Sequence, residues 1–83
     1  MSFTYKTKGT CSQLITFDIE DNKVYNVNFL GGCNGNLKGI AKLVEGQDID
    51  DIINRIEGVR CGPKQTSCPD QLAQALKQAK ASI

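Results

Sequence analysis

In the N-terminal part of the chain, apolar and polar residues alternate with a period of two. Ile15, Phe17 and Ile19 fall on one side, and Thr16, Asp18 and Glu20 on the other, which predicts a half-buried strand. Asp21-Asn22 is a turn pair. Beyond it Tyr25, Val27 and Phe29 resume the alternation against Asn26 and Asn28, so the two runs form a hairpin. Phe3 to Thr7 alternates in the same way and supplies a third strand. Three glycines in Gly31-Gly32-Cys33-Asn34-Gly35 then end regular structure.

Past that point the period becomes helical. Leu37, Ile40, Ala41 and Val44 mark a first helix stopped by Gly46. Asp48 is suited to cap a second helix, with Asp50 and Asp51 in its first turn. Ile49, Ile52, Ile53 and Ile56 form its inner face, and Gly58 stands at its C-terminal end. Val59 to Ser67 carries Gly62 and Pro63 and reads as a loop. Pro69 suits the first position of a last helix, whose inner stripe is Leu72, Ala75, Leu76 and Ala79 and whose C-terminal end carries Lys77 and Lys80. Strands first and helices after predict an α+β fold: a small antiparallel three-stranded sheet followed by three helices packed on one face.

At 83 residues the chain makes a single domain, taken as residues 1–83. Chains of this size bury only about 60–65% of their unfolded surface, and many need a disulfide, a metal or a partner as a staple. The formal net charge is +1 with mixed signs, which predicts neither a nucleic-acid nor a membrane partner. No apolar run has the length of a membrane span, and Met-Ser-Phe-Thr-Tyr-Lys is not a signal peptide, so the expected location is cytoplasmic.

That compartment changes the meaning of Cys11, Cys33, Cys61 and Cys68. In a reducing cytosol, cysteines at this density point to metal ligation or redox-active thiols rather than disulfides, or to small core residues. The chain has no histidine, which excludes mixed Cys/His zinc sites and histidine catalysis. Each cysteine falls at an element boundary or in a loop. Cys11 precedes the hairpin and Cys33 follows it, so the hairpin brings that pair together. Cys61 and Cys68 share one loop, with Cys68 expected as the N-cap of the last helix. A helix N-terminus favours a thiolate, and Arg60 and Lys64 beside Cys61 act in the same sense. Two local pairs therefore predict a four-thiolate site for zinc or an iron–sulfur cluster, with no catalytic residue. Should Cys11 and Cys33 lie far from Cys68, the site would have to bridge a homodimer.

The segment Thr66-Ser67-Cys68-Pro69-Asp70 spells the motif of the TSCPD family. With Gly31-Gly32-Cys33-Asn34-Gly35-Asn36-Leu37 and Gly58-Val59-Arg60-Cys61-Gly62, the chain resembles stand-alone members of that family over almost its full length. TSCPD domains also occur as C-terminal appendages of cobalamin-dependent ribonucleotide reductases. The resemblance therefore implies an accessory module working near nucleotide reduction, with a ribonucleotide reductase as partner. It does not imply the reductase activity itself, because 83 residues cannot form the large catalytic barrel.

The order of elements also resembles iron–sulfur scaffold proteins of the NifU/IscU type. Their three cysteines sit before the hairpin, after it and at the start of the last long helix, and Cys11, Cys33 and Cys68 match them. That likeness implies a cluster-handling partner. This chain departs from the scaffolds at Gln13, where they carry an aspartate, and at Ser67, where many carry a histidine. Cys61 would then supply a fourth ligand. Two other functions compete: a thiol redox carrier using Cys61 and Cys68, and a nucleotide-binding regulatory domain holding phosphate where Gly35-Asn36 opens a helix.

Overall fold

A computed structural model of the chain describes residues 1–8, 12–31, 34–60, 62–63 and 65–82. Strands β1 (Ser2–Lys6), β2 (Ser12–Glu20) and β3 (Lys23–Gly31) come first, followed by helices α1 (Asn34–Val44), α2 (Ile49–Ile56) and α3 (Cys68–Ser82). The sheet has the order β1-β2-β3 with both pairs antiparallel. This is the α+β arrangement read from the alternating and helical periods.

Asp21 and Asn22 turn β2 into β3 with φ of 51° and 63°. Two consecutive left-handed residues give a two-residue hairpin loop the twist of its strands, and Asp and Asn are the side chains that tolerate this best. The alternation then breaks inside β3. Thr16 faces Asn28 but Asp18 faces Tyr25, so β3 carries one residue more than β2 over this stretch. The extra residue is Asn26, at φ 55°, and it forms a β-bulge. The bulge shifts the phase: Val24 is fully buried and Tyr25 only half-buried, so Val24 takes the core place that the simple alternation assigns to Tyr25. Two hydrogen bonds hold the bulge, from Asn26 N–H to Glu45 Oε1 (2.8 Å) and from Asn26 Nδ2 to Asp18 Oδ2 (2.8 Å).

Ile15, Phe17, Ile19, Val24, Val27 and Phe29 form the inner face of the sheet. The inner stripes of the three helices close on it through Leu37 and Val44, through Ile49, Ile52 and Ile53, and through Leu72, Ala75, Leu76 and Ala79. All three helices therefore lie on one face. Phe3 stacks on Phe17 with ring centroids 5.5 Å apart and fastens β1 to the same core.

Gly46, at φ 74°, ends α1, and the link to α2 then lies along the outer edge of β3. Gly46 N–H donates to Val24 O (2.6 Å), Val24 N–H to Gln47 O (3.0 Å) and Ile49 N–H to Asn22 O (3.0 Å). The first half of that edge is thereby covered by the chain itself. Asp48 caps α2 by accepting from Asp50 N–H and Asp51 N–H, which accounts for the acidic cluster, and Gly58 follows the C-cap at φ 84°. Lys77 and Lys80 do more than offset the α3 dipole. Lys77 pairs with Glu57 and Lys80 with Asp50, tying α3 across to α2. No helix among the described residues is long and apolar enough to cross a membrane.

Candidate functional site

One end of the sheet gathers the chain segments that carry the cysteines. Antiparallel pairing sets the end of β1 beside the start of β2 (Lys6 opposite Leu14), and the start of β2 beside the end of β3 (Ser12 opposite Gly31). The first turn of α3 meets this same end. Lys8 N–H, just past β1, donates to Gln71 Oε1 at 3.0 Å, although the two residues are far apart in sequence.

The first turn of α3 is built as a polar clamp. Ser67 is its N-cap: its Oγ accepts from Asp70 N–H (3.1 Å) and donates to Val59 O (2.6 Å), fixing the preceding loop to the helix start. The cap is thus Ser67 rather than Cys68. Cys68 is the first helical residue and Pro69 the second, where its missing N–H leaves no unmet donor. Asp70 accepts from Gly58 N–H (2.7 Å) and from the Thr66 hydroxyl. Thr66 Oγ1 in turn accepts from Gln71 Nε2 (3.1 Å), and Gln71 N–H closes the first helical bond onto Ser67 O (2.8 Å).

Ser67, Asp70 and Gln71 are all buried, and among the described residues no buried side-chain nitrogen or oxygen lacks a partner. Burial pushes the Asp70 carboxyl up. Hydrogen bonds from Thr66, Gly58 N–H and Gln74 outweigh that effect and hold it below the usual aspartate range. Sequence reasoning missed this network. The Ser67-x-x-Asp70 spacing, an N-cap residue with an acid three positions on, was its available signal.

Cys68 is half-buried against the core cluster at the first position of α3. Cys11, Cys33 and Cys61 lie outside the described residues, as does Lys64. Described residues next to them in sequence are set at the α3 end of the sheet: Lys8 and Ser12 on either side of Cys11, Gly31 ahead of Cys33, and Val59 ahead of Cys61. Among the described residues there is no group of three or more potential metal ligands. Cys68 suits a soft metal or a cluster, since thiolate is their preferred donor and its backbone is fixed from both sides.

No curated protein and no solved structure matches the chain. The TSCPD domain family model matches residues 3–80, nearly the entire length. The motif that names that family coincides with the clamp at the head of α3, and the chain belongs to the TSCPD domain family.

Proposed function

We propose that this TSCPD domain is a non-catalytic accessory module that binds zinc or an iron–sulfur cluster through Cys11, Cys33, Cys61 and Cys68. One observation carries the reading: the clamp of Thr66, Ser67, Asp70 and Gln71 seats Cys68 at a rigid helix start. It also reaches with hydrogen bonds into the loop leading to Cys61 and the segment leading to Cys11. The pairing of Ser12 with Gly31 supports the same end of the sheet for the flanks of Cys11 and Cys33. A metal staple also answers the thin stability margin of so small a domain. The partner class is a ribonucleotide reductase or a cluster-handling protein in the cytoplasm. The likeness to NifU/IscU-type scaffolds belongs to this proposal.

The test is a melting experiment with and without a strong chelator under anaerobic conditions. A structural zinc ion contributes on the order of 10 kcal/mol in small zinc peptides, so its removal unfolds or sharply destabilises the domain. An unchanged melting curve, with all thiols open to alkylation before and after chelation, contradicts the reading. A second reading, a thiol redox carrier using Cys61 and Cys68, is favoured by the half-buried rather than sealed position of Cys68. A Cys68→Ser variant exchanging disulfides at the normal rate would exclude it.

A further inference from the structure

A second feature lies along the outer edge of the sheet. Beyond the bulge, the outer edge of β3 borders an open groove of about 670 Å³, walled on its other side by α1. The strand wall is Val27, Asn28 and Phe29, and the helix wall is Leu37, Lys38, Ala41, Lys42 and Glu45, whose carboxylate accepts from Asn26 N–H at the bulge end, so the two lysines leave the wall net positive. Val27 and Phe29 point into the core and Asn28 points away from it, so a groove touching all three runs along the strand's edge rather than over one face. The chain covers the first half of this edge with its own Gly46–Ile49 link. Among the described residues no backbone group pairs with the outer edge of β3 beyond Asn26. The edge sequence Val27-Asn28-Phe29-Leu30 holds none of the lysines or prolines that blunt exposed edges, and Leu30 is 43% exposed.

We infer that this groove binds an extended acidic peptide, which joins the sheet as a fourth strand on the outer edge of β3 beyond Asn26 with its carboxylates meeting Lys38 and Lys42. Charge and spacing select that occupant. Lys38 and Lys42 stand one helical turn apart, about 6 Å along the axis. Alternate residues of a strand repeat at about 6.6–6.8 Å, so acidic residues two positions apart on the inward side of the peptide match both lysines. α1 leaves β3 near Gly31 and returns to Asn26 through Glu45, so helix and strand run alongside each other and this spacing is kept. Backbone bonds to the edge supply affinity and the two lysines supply selectivity. A second copy of this chain fits less well, because symmetric edge pairing would bring two α1 helices together with lysine facing lysine. The inference draws on none of the cysteines, and either proposal stands without the other.

The test uses a short fluorescent peptide alternating Glu with Val, titrated into the ¹⁵N-labelled chain. The expected result is saturable binding, with amide shifts confined to Val27–Gly31 and α1. The charge-reversed variant carrying Lys38→Glu and Lys42→Glu, checked for an unchanged circular dichroism spectrum, binds roughly tenfold or more weakly. A control peptide with Pro in place of Val keeps the charges but loses every second backbone donor and the extended φ of a strand, and it binds far more weakly. No saturation by about 1 mM peptide overturns the inference, since that concentration already corresponds to very weak association. Equal binding of the proline peptide, which would indicate charge attraction alone, also overturns it. So does sedimentation of the chain by itself as a dimer that the peptide dissociates, which would assign the edge to a second copy.

Discussion

Replacing Asp70 with alanine removes the centre of the clamp at the head of α3. The carboxylate accepts from Gly58 N–H at 2.7 Å and from the Thr66 hydroxyl, and it is 7% exposed. Hydrogen bonds to a charged group contribute about 1.5–3 kcal/mol each. Two considerations place both at the low end: Gly58 is exposed, so water replaces its acceptor, and Thr66 keeps its bond from Gln71. Loss of a negative charge in the first helical turn adds about 0.3–1 kcal/mol. The sum is about 3.5 kcal/mol, a large share of the roughly 4–12 kcal/mol available to a domain of this size. With a urea m-value of about 1 kcal/mol/M, the unfolding midpoint falls by about 3.5 M. A double-mutant cycle with Thr66→Val isolates the pair and should return a coupling of about 1–2 kcal/mol. A loss below about 0.5 kcal/mol for Asp70→Ala, or strict additivity with Thr66→Val, would refute the clamp.

The remaining predictions concern pH and the sheet. Because the folded state holds the Asp70 carboxyl below its unfolded value, the unfolded chain binds the extra proton. That contribution is complete above about pH 4 and is lost as the pH falls through the folded pKa. Urea midpoints measured against pH should therefore decline in acid for the native protein and decline less steeply for Asp70→Asn; parallel curves would assign the acid sensitivity elsewhere. Val24→Ala should destabilise by about 2 kcal/mol and more than Tyr25→Ala, which calorimetry can rank; the reverse order would contradict the bulge phase. Asn26→Val, a β-branched residue at φ 55°, should lower stability by about 1–3 kcal/mol while Asn26→Gly costs less, as thermal melts would show.

The hairpin, the order of elements and the helix stripes were legible because each rests on a local period that one face of burial enforces. Ile15, Phe17 and Ile19, and Leu72, Ala75, Leu76 and Ala79, are buried as their spacing requires. The phase of β3 was not legible: Val24 and Tyr25 are both apolar, and only the left-handed Asn26 decides which faces inward. At the candidate site the helix start at Cys68 was legible within one residue. Pro69 tolerates the first or second position equally, and Ser67 rather than Cys68 had the side chain to cap. The bond joining Lys8 to Gln71 connects segments with no local signal in common, so no periodicity announces it. Lys77 and Lys80 show the same gap, since their partners Glu57 and Asp50 belong to another helix.

The most direct test of the metal-binding proposal is elemental and acid-labile sulfide analysis of the chain purified without oxygen, compared with a Cys68→Ser variant prepared identically. The proposal predicts zinc, or iron with sulfide, in stoichiometric amount in the native protein and its loss in the variant. A native chain free of metal, or a variant retaining the full amount, would contradict it.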